Sequence, residues 1–520
     1  MRSPLRTEIW IGIPNVLVHR PTANRSQRSG NWLKLLFVGY VVSIDAGTTG
    51  VRSFVIDETG KPVDVAYREF PQYFPQPGWV EHDAAEILDA VRATLAEVRG
   101  RLPDGAAIAA IGITNQRETV VAWSRSTGKP LHRALVWQDR RTAGVCDALV
   151  PELPTVRSKT GLVLDPYFSA TKLRWLLDRI DVSDDVLVGT IDTWILWNLT
   201  GAYATDVSNA SRTLLCDIGS RAWDDELREI FGVHVALPEI RPSSGRFGVT
   251  EDGIPVSGIA GDQQAALFGQ ACFTPGMTKN TYGTGSFVLM NVGPSLPAPV
   301  EGLLTTVGWE LSSGELAYAL EGAIFVTGAA IQWLRDGLGL ISAAPEIGPL
   351  AGSVADTDGV FVVPAFTGLG SPWWDPYARG AIVGITRGTS RAHIARAVVE
   401  SMVLSTRDVV DAMSAASGRE ITGLRVDGGA SVMDLLCQMQ ADQLQVPVER
   451  PAVTETTALG AAYLAGLAEG VWSSTDELSA LWSLEASWAP QVPKELADLR
   501  LGQWHNAVER SRYWAKEAAE

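Results

Sequence analysis

Two stretches far apart in this chain share one plan. In the first, the strand formers of Tyr40–Asp45 deliver one carboxylate, Asp45, to a turn of Gly47, Thr48, Thr49 and Gly50; the chain then returns through the apolar run Val51–Ile56. In the second, Lys279–Tyr282 leads into Gly283, Thr284 and Gly285 and returns through Ser286–Met290. Both read as β-hairpins with a small, polar tip. The repetition restricts the architecture to a duplicated plan, with one such hairpin in each half. A tip of this composition can present backbone N–H groups and hydroxyls to a phosphate, and a carboxylate at its base suits a hydrated Mg²⁺. An ordinary hairpin with a Gly/Thr-rich turn fits the same residues.

The bulk properties narrow the classes. A chain of 520 residues is too long for one core and calls for two large domains. A formal charge of −16 argues against nucleic acid, which calls for a basic face. Cys146, Cys216, Cys272 and Cys437 are widely spaced, without a CxxC, so neither a zinc ribbon nor a disulfide framework is expected; a reducing, cytoplasmic setting fits. No HExxH and no GxxxxGK[ST] occurs. The apolar run Leu35–Ile44 is about half the length of a membrane span and feeds the Asp45 turn. Residues 1–38 carry Arg2, Arg6, Arg20, Arg25, Arg28 and Lys34 against Glu8 and are expected to be a disordered extension or an over-long start.

Strand and helix signals alternate to the end, as in α/β architecture. Asp83 is placed to cap a helix near Ala84–Arg99, Ala106–Thr114 reads as a buried strand, Val120–Ser124 as another, and Trp137–Arg141 as the opening of a helix. His393–Met413 is a long helix with a broad apolar face, and Ala458–Ala468 is another. The turn Val426–Ala430 follows a strand, and its glycines permit close approach of a ligand. Asp262 follows an apolar strand in SGIAGDQQAALFGQ (257–270), where it serves either as an N-cap or as a base facing a cleft. Arg117 and Glu118 form a donor–acceptor pair at a strand end, suited to neighbouring hydroxyls or to a solvated surface ion pair. Trp137, Tyr167 and Phe287 are either walls for a substrate's carbon face or core.

Taken in order, DAGTTGVR (45–52), PGWVEHD (77–83), GITNQRET (112–119), VWQDRRT (136–142), DPYFSATKLRWLLD (165–178), SGIAGDQQAALFGQ, NTYGTGSF (280–287) and VPAFTGLGSPWWDPYARG (363–380) resemble the glycerol kinases of the FGGY carbohydrate kinase family. The resemblance implies an α/β, two-domain actin/hexokinase-like (ribonuclease H-like) fold. Residues 39–270 would form the glycerol and phosphate side, residues 271–520 the nucleotide side, and the active-site cleft would lie between them. It implies transfer of the ATP γ-phosphoryl group to glycerol, with Asp262 as general base. Arg117, Glu118, Tyr167, Asp262 and Gln263 would bind the hydroxyls, and Trp137 and Phe287 would flank the carbon chain. Thr48, Thr49, Gly50 and Arg52 would lie on the phosphate side, Asp45 would support Mg²⁺, and Thr284, Gly328, Gln332 and Gly429 would belong to the nucleotide side. A homodimer or homotetramer without nucleic-acid or membrane partners is implied.

Three features depart from the family pattern. Gly50 stands where relatives often have Ser, Met433 where an Asn lies near the adenine, and the basic N-terminal stretch is additional. Two other readings are a kinase for another polyol or ketose and a catalytically silent, sugar-responsive regulator.

Overall fold

The computed structural model describes residues 39–516, so the readings of residues 1–38 lie outside the described residues. Two large sheets carry the architecture. The first is six-stranded and runs Ser244–Val249, Pro255–Gly261, Ala107–Asn115, Gly39–Ala46, Gly50–Ile56, Pro62–Glu69. The second is seven-stranded and runs Leu304–Glu310, Leu316–Ile324, Ser286–Gly293, Thr278–Tyr282, Leu424–Asp427, Val448–Pro451, Leu484–Trp488. In each, the hairpin's first strand lies parallel to a strand from later in the chain, and its second strand antiparallel to the first. The duplication read from the two turns is therefore a duplication of sheet topology. A smaller four-stranded sheet (Glu81–His82, Ala134–Leu135, Val120–Ser124, Val186–Thr190) flanks the first.

The helix Thr456–Ala468 ties the two halves together. By sequence it belongs to the second half, yet it packs on the first sheet and on the helix Asp262–Gly269. Its alanine- and glycine-rich face lets backbones touch. A Cβ at Gly460 would stand 1.8 Å from the Ala265 carbonyl oxygen, and one at Gly269 would stand 1.9 Å from that of Thr456. The surrounding apolar cluster draws on both sheets, through Val41, Phe54 and Ala260 from one and Leu289, Trp309 and Ala319 from the other.

Asp83 caps the helix Ala84–Arg101 by accepting from Ala85 N at 2.9 Å. Ala107–Asn115 and Val120–Ser124 are strands, and the long helix runs Arg391–Ser417, beyond both expected ends. Trp137–Arg141 is not helical; the helix begins at Ala143. Side chains hold this loop in an irregular path. Buried Asp139 accepts from Val80 N at 2.6 Å and from Arg141 N at 2.9 Å, and Trp137 N donates to Thr119 Oγ1 at 3.2 Å. These side-chain bonds compete with the helical pattern.

The helix contact sets a stability expectation. Gly460→Val, which drives two methyl groups into backbone, should lower the unfolding free energy by about 3 kcal/mol or more. Gly502→Ala, exposed within the helix Lys494–Glu509 with open space around it, should raise it by about 0.5–1 kcal/mol. Urea denaturation of the two variants checks both signs.

Candidate active site

The strand Ala107–Asn115 ends where chain direction changes sharply. Glu118 has a backbone φ of 60°, and Thr119 N donates to the Arg117 carbonyl at 2.7 Å across it. A non-glycine residue in this region costs about 1–3 kcal/mol and persists only where surroundings enforce it. The effect is to bring neighbouring side chains to one site. Arg117 and Glu118 are 2% and 1% exposed, so a solvated surface pair is excluded.

Two residues with no part in the sequence reading complete the cluster. Glu321, from the second sheet, accepts from Arg117 at 2.5 and 3.1 Å and from Arg212 at 2.9 Å. Arg212 also donates through Nε to Glu118 Oε1 at 2.7 Å. All four groups are buried. Burial pushes the Glu321 carboxyl up, but the two guanidiniums outweigh it and hold it down at about 2. For Glu118 burial wins, and its pKa is raised. Arg212 follows the short helix Val207–Ala210, and Glu321 lies in the otherwise largely apolar strand Leu316–Ile324. Only tertiary pairing marks them.

Asp262 joins the cluster from its open side. It is the first helical residue of Asp262–Gly269, with Gly261 at the cap position, so it is not the N-cap. Its carboxylate lies 3.1 Å from Arg117 Nε and accepts from Gln263 N at 2.7 Å. At 31% side-chain exposure it is the accessible carboxylate of the group. Burial raises its pKa against the pull of Arg117. The Gln263 side-chain oxygen Oε1 accepts from Lys279 Nζ, whose own pKa burial brings down to about 8.

The aromatic residues gather at the same place. The Tyr167 hydroxyl is 3.3 Å from Arg117, and its ring meets Trp137 edge-on at 5.6 Å. Phe287 lies under the Arg117 guanidinium at 5.6 Å. Lys172, unremarked in the sequence, fixes the Tyr167 loop by donating to the carbonyls of Pro166, Tyr167 and Phe168 at 2.8, 2.6 and 2.7 Å.

Trp137 connects this cluster to the first hairpin, because its Nε1 donates to Thr48 Oγ1 at 3.0 Å. The turn closes through Gly47 N to Gly50 O at 3.0 Å. Behind it, Gln72 donates to the Thr48 carbonyl at 2.7 Å and Gln116 to the Gly47 carbonyl at 3.1 Å. Buried His82 sits between the two amides, 2.7 Å from Gln72 Oε1 and 3.3 Å from Gln116 Nε2. Accepting from Gln116 requires a neutral ring, and burial lowers the His82 pKa to about 4. Asp45 pairs across the hairpin with Arg52, which is bonded to Glu455 at 3.0 Å. Burial pushes Asp45 up to about 6.

The second hairpin turn is built into other elements. Gly328 N donates to Gly283 O at 3.1 Å, and Ala329 N to Thr284 O at 3.0 Å. A Cβ at Gly328 would stand 2.5 Å from Gly283 O, and one at Gly428, next to Gly429, would stand 2.4 Å from Tyr282 O. Thr284, Gly328 and Gly429 thus surround one strand end. Gln332 lies one helical turn beyond Gly328. Met433 packs toward Gly348.

Known proteins carry the same organisation. The model for the FGGY family of carbohydrate kinases, N-terminal domain, matches residues 40–269, and the C-terminal domain model matches 278–469. The chain is 51% identical over 503 residues to a glycerol kinase of Bordetella parapertussis, covering 92% of this chain and 98% of that protein. It is 52% identical over 496 residues to glycerol kinase 2 of Thermotoga maritima, covering 92% and 99%. A crystal structure of Plasmodium falciparum glycerol kinase with ADP superposes with a TM-score of 0.86 at 35% identity, covering 91% and 98%.

Two outcomes test the geometry. Removing one partner of a buried ion pair costs about 3–5 kcal/mol. Glu321→Ala should lose about that much in urea denaturation, because two guanidiniums are left facing each other. His82 binds a proton in the unfolded chain below its usual value of 6.5 and in the folded chain only below about 4. Its stabilising contribution is therefore complete above pH 6.5 and is lost as pH falls toward 4. The urea midpoint of the wild type should fall more steeply across that window than that of His82→Asn. Equal slopes would remove His82 as the source.

By sheet topology, by the two family models across its length and by these relatives, the chain belongs to the FGGY family of carbohydrate kinases.

Proposed function

We propose that this protein catalyses ATP-dependent phosphorylation of glycerol to sn-glycerol 3-phosphate, with Asp262 as general base. The observation that carries this reading is the state of Asp262. It is the one partly accessible carboxylate in a cluster whose other carboxylates are buried and paired, and it touches Arg117 directly. The high identity to glycerol kinases over nearly the whole chain supports the acceptor.

The residues divide the work. Arg117 and Tyr167 donate to glycerol hydroxyls, Glu118 accepts from one, and the free amide N–H₂ of Gln263 donates to another. Trp137 and Phe287 flank the carbon chain. Asp262 accepts the proton of the attacking hydroxyl as the bond to phosphorus forms; a raised pKa improves it as a base near neutrality. Thr48, Thr49, Gly50 and Arg52 hold the transferring phosphate, and their backbone donors are aimed by the Gln72 and Gln116 contacts behind the turn. Thr284, Gly328, Gln332 and Gly429 hold the nucleotide.

The donor set fits Mg²⁺. Asp45 forms no ion pair among the described residues; burial, more than the opposing Arg52 charge, raises its pKa, so a cation beside it would favour its charged form. Among the described residues no group of three or more His, Cys, Asp or Glu could hold a metal, which matches an ion bound mostly by phosphate oxygens and water. When bound, Mg²⁺ would neutralise charge on the transferring group. Residues 39–270 and 271–520 would be the two domains, closing over substrate to exclude water. We place the enzyme in the cytoplasm, where ATP is available, and infer a homodimer or homotetramer by analogy with the family.

ADP release should depend on glycerol and be far slower with the pentulose xylulose; erythritol and dihydroxyacetone complete the panel. Equal turnover of a pentulose overturns the acceptor. Asp262→Asn should retain glycerol binding and lose roughly 10²–10⁴-fold in kcat; near-native turnover removes Asp262 as base.

A further inference from the structure

Tyr67 lies in the edge strand Pro62–Glu69, in register with Arg52 of the first hairpin. Its ring does not point to solvent alone. It lies over Gly50, the last residue of the turn. A Cβ at Gly50 would stand 2.5 Å from Tyr67 Cε2, 2.8 Å from its hydroxyl and 2.7 Å from the Arg68 carbonyl. Glycine at 50 is thus the condition for the phenol to reach the turn. The phenol oxygen occupies the space into which a side chain at position 50 would project.

The company the hydroxyl keeps is that of the turn's open face. Thr49, in the turn, is exposed, and Arg52 lies 5.7 Å from the ring centre. The hydroxyl's one hydrogen-bond partner among the described residues is Glu69 Oε1 at 3.4 Å, a long bond that a charged acceptor readily displaces. Tyr67 is 39% exposed, so a ligand on the turn has access to it.

We propose that Tyr67 is a further phosphate-binding residue of this kinase, its hydroxyl donating to a phosphate oxygen of ATP from the neighbouring strand. The inference rests on the turn Gly47–Gly50 being the phosphate cradle. Burial, the largest influence, and the nearby Glu69 carboxylate both raise the phenol's pKa, so it remains a donor at neutral pH. Gly50 leaves the turn itself with two side-chain hydroxyls, Thr48 and Thr49. Thr48 accepts from Trp137, and Tyr67 adds a third hydroxyl.

The full-length enzyme tests this through Tyr67→Phe, which removes one oxygen and leaves the ring over Gly50. The KM for ATP should rise about tenfold, the scale of a lost hydrogen bond to a charged group. The KM for glycerol and the inhibition constant of adenosine, which has no phosphate, should not change. Thr49→Val is the comparison. If it raises the KM for ATP and Tyr67→Phe does not, Tyr67 is not a phosphate ligand while the cradle stands. If neither variant moves it, the cradle reading falls as well. An equal rise for ATP and adenosine makes Tyr67 a structural residue and overturns the proposal.

Discussion

The buried ion network of Arg117, Glu118, Arg212 and Glu321 is the interaction on which the site depends. Ion pairs out of water gain little net stability, because desolvation offsets most of their attraction. Their value here is geometric. Arg117, Glu118 and Arg212 come from the first half and Glu321 from the second. Each guanidinium reaches the Glu321 carboxylate only when both sheets are in place. The network therefore sets the relative position of the elements that carry the site, and it fixes Arg117 where Asp262 and Tyr167 meet it. The strained φ of Glu118 is sustained by the same contacts.

The Gly47–Gly50 turn is organised by a different device. Its carbonyls are held from behind by two amides, and those amides are oriented by one neutral, buried imidazole. Carbonyls fixed on one side leave the turn's N–H groups committed to the other. Trp137 joins this layer to Tyr167, so the Gly47–Gly50 turn and the Tyr167 cluster are one connected structure. The glycine contacts of the helix Thr456–Ala468 hold the whole assembly close, since backbone against backbone leaves no side chain to yield.

Much of this was legible beforehand. The two hairpins, the strand ending at Asn115, the capped helix after Asp83 and the long helix around Met402 follow from local pattern, because apolar period and turn chemistry act over short distances. Trp137–Arg141 was not legible as a loop. Its composition favours a helix, and the contacts of Asp139 and Trp137 that oppose it come from residues distant in sequence. The choice between cap and base for Asp262 was open because a carboxylate after a strand suits both; the helix start, with Gly261 at the cap position, removes the cap.

The sequence by itself determined the class of fold and the family, because hairpin tips, helix caps and a long series of motifs are local and survive without coordinates. It also placed Arg117, Glu118, Tyr167 and Asp262 in one set through resemblance. Tertiary structure alone decided which charges are paired and which remain available. Arg212, Glu321, Lys172 and Tyr67 receive no role from sequence, although Lys172 lies inside the segment DPYFSATKLRWLLD. Burial and three-dimensional neighbours define what they do, and for Arg212 and Glu321 those neighbours are each other, 109 residues apart in the chain.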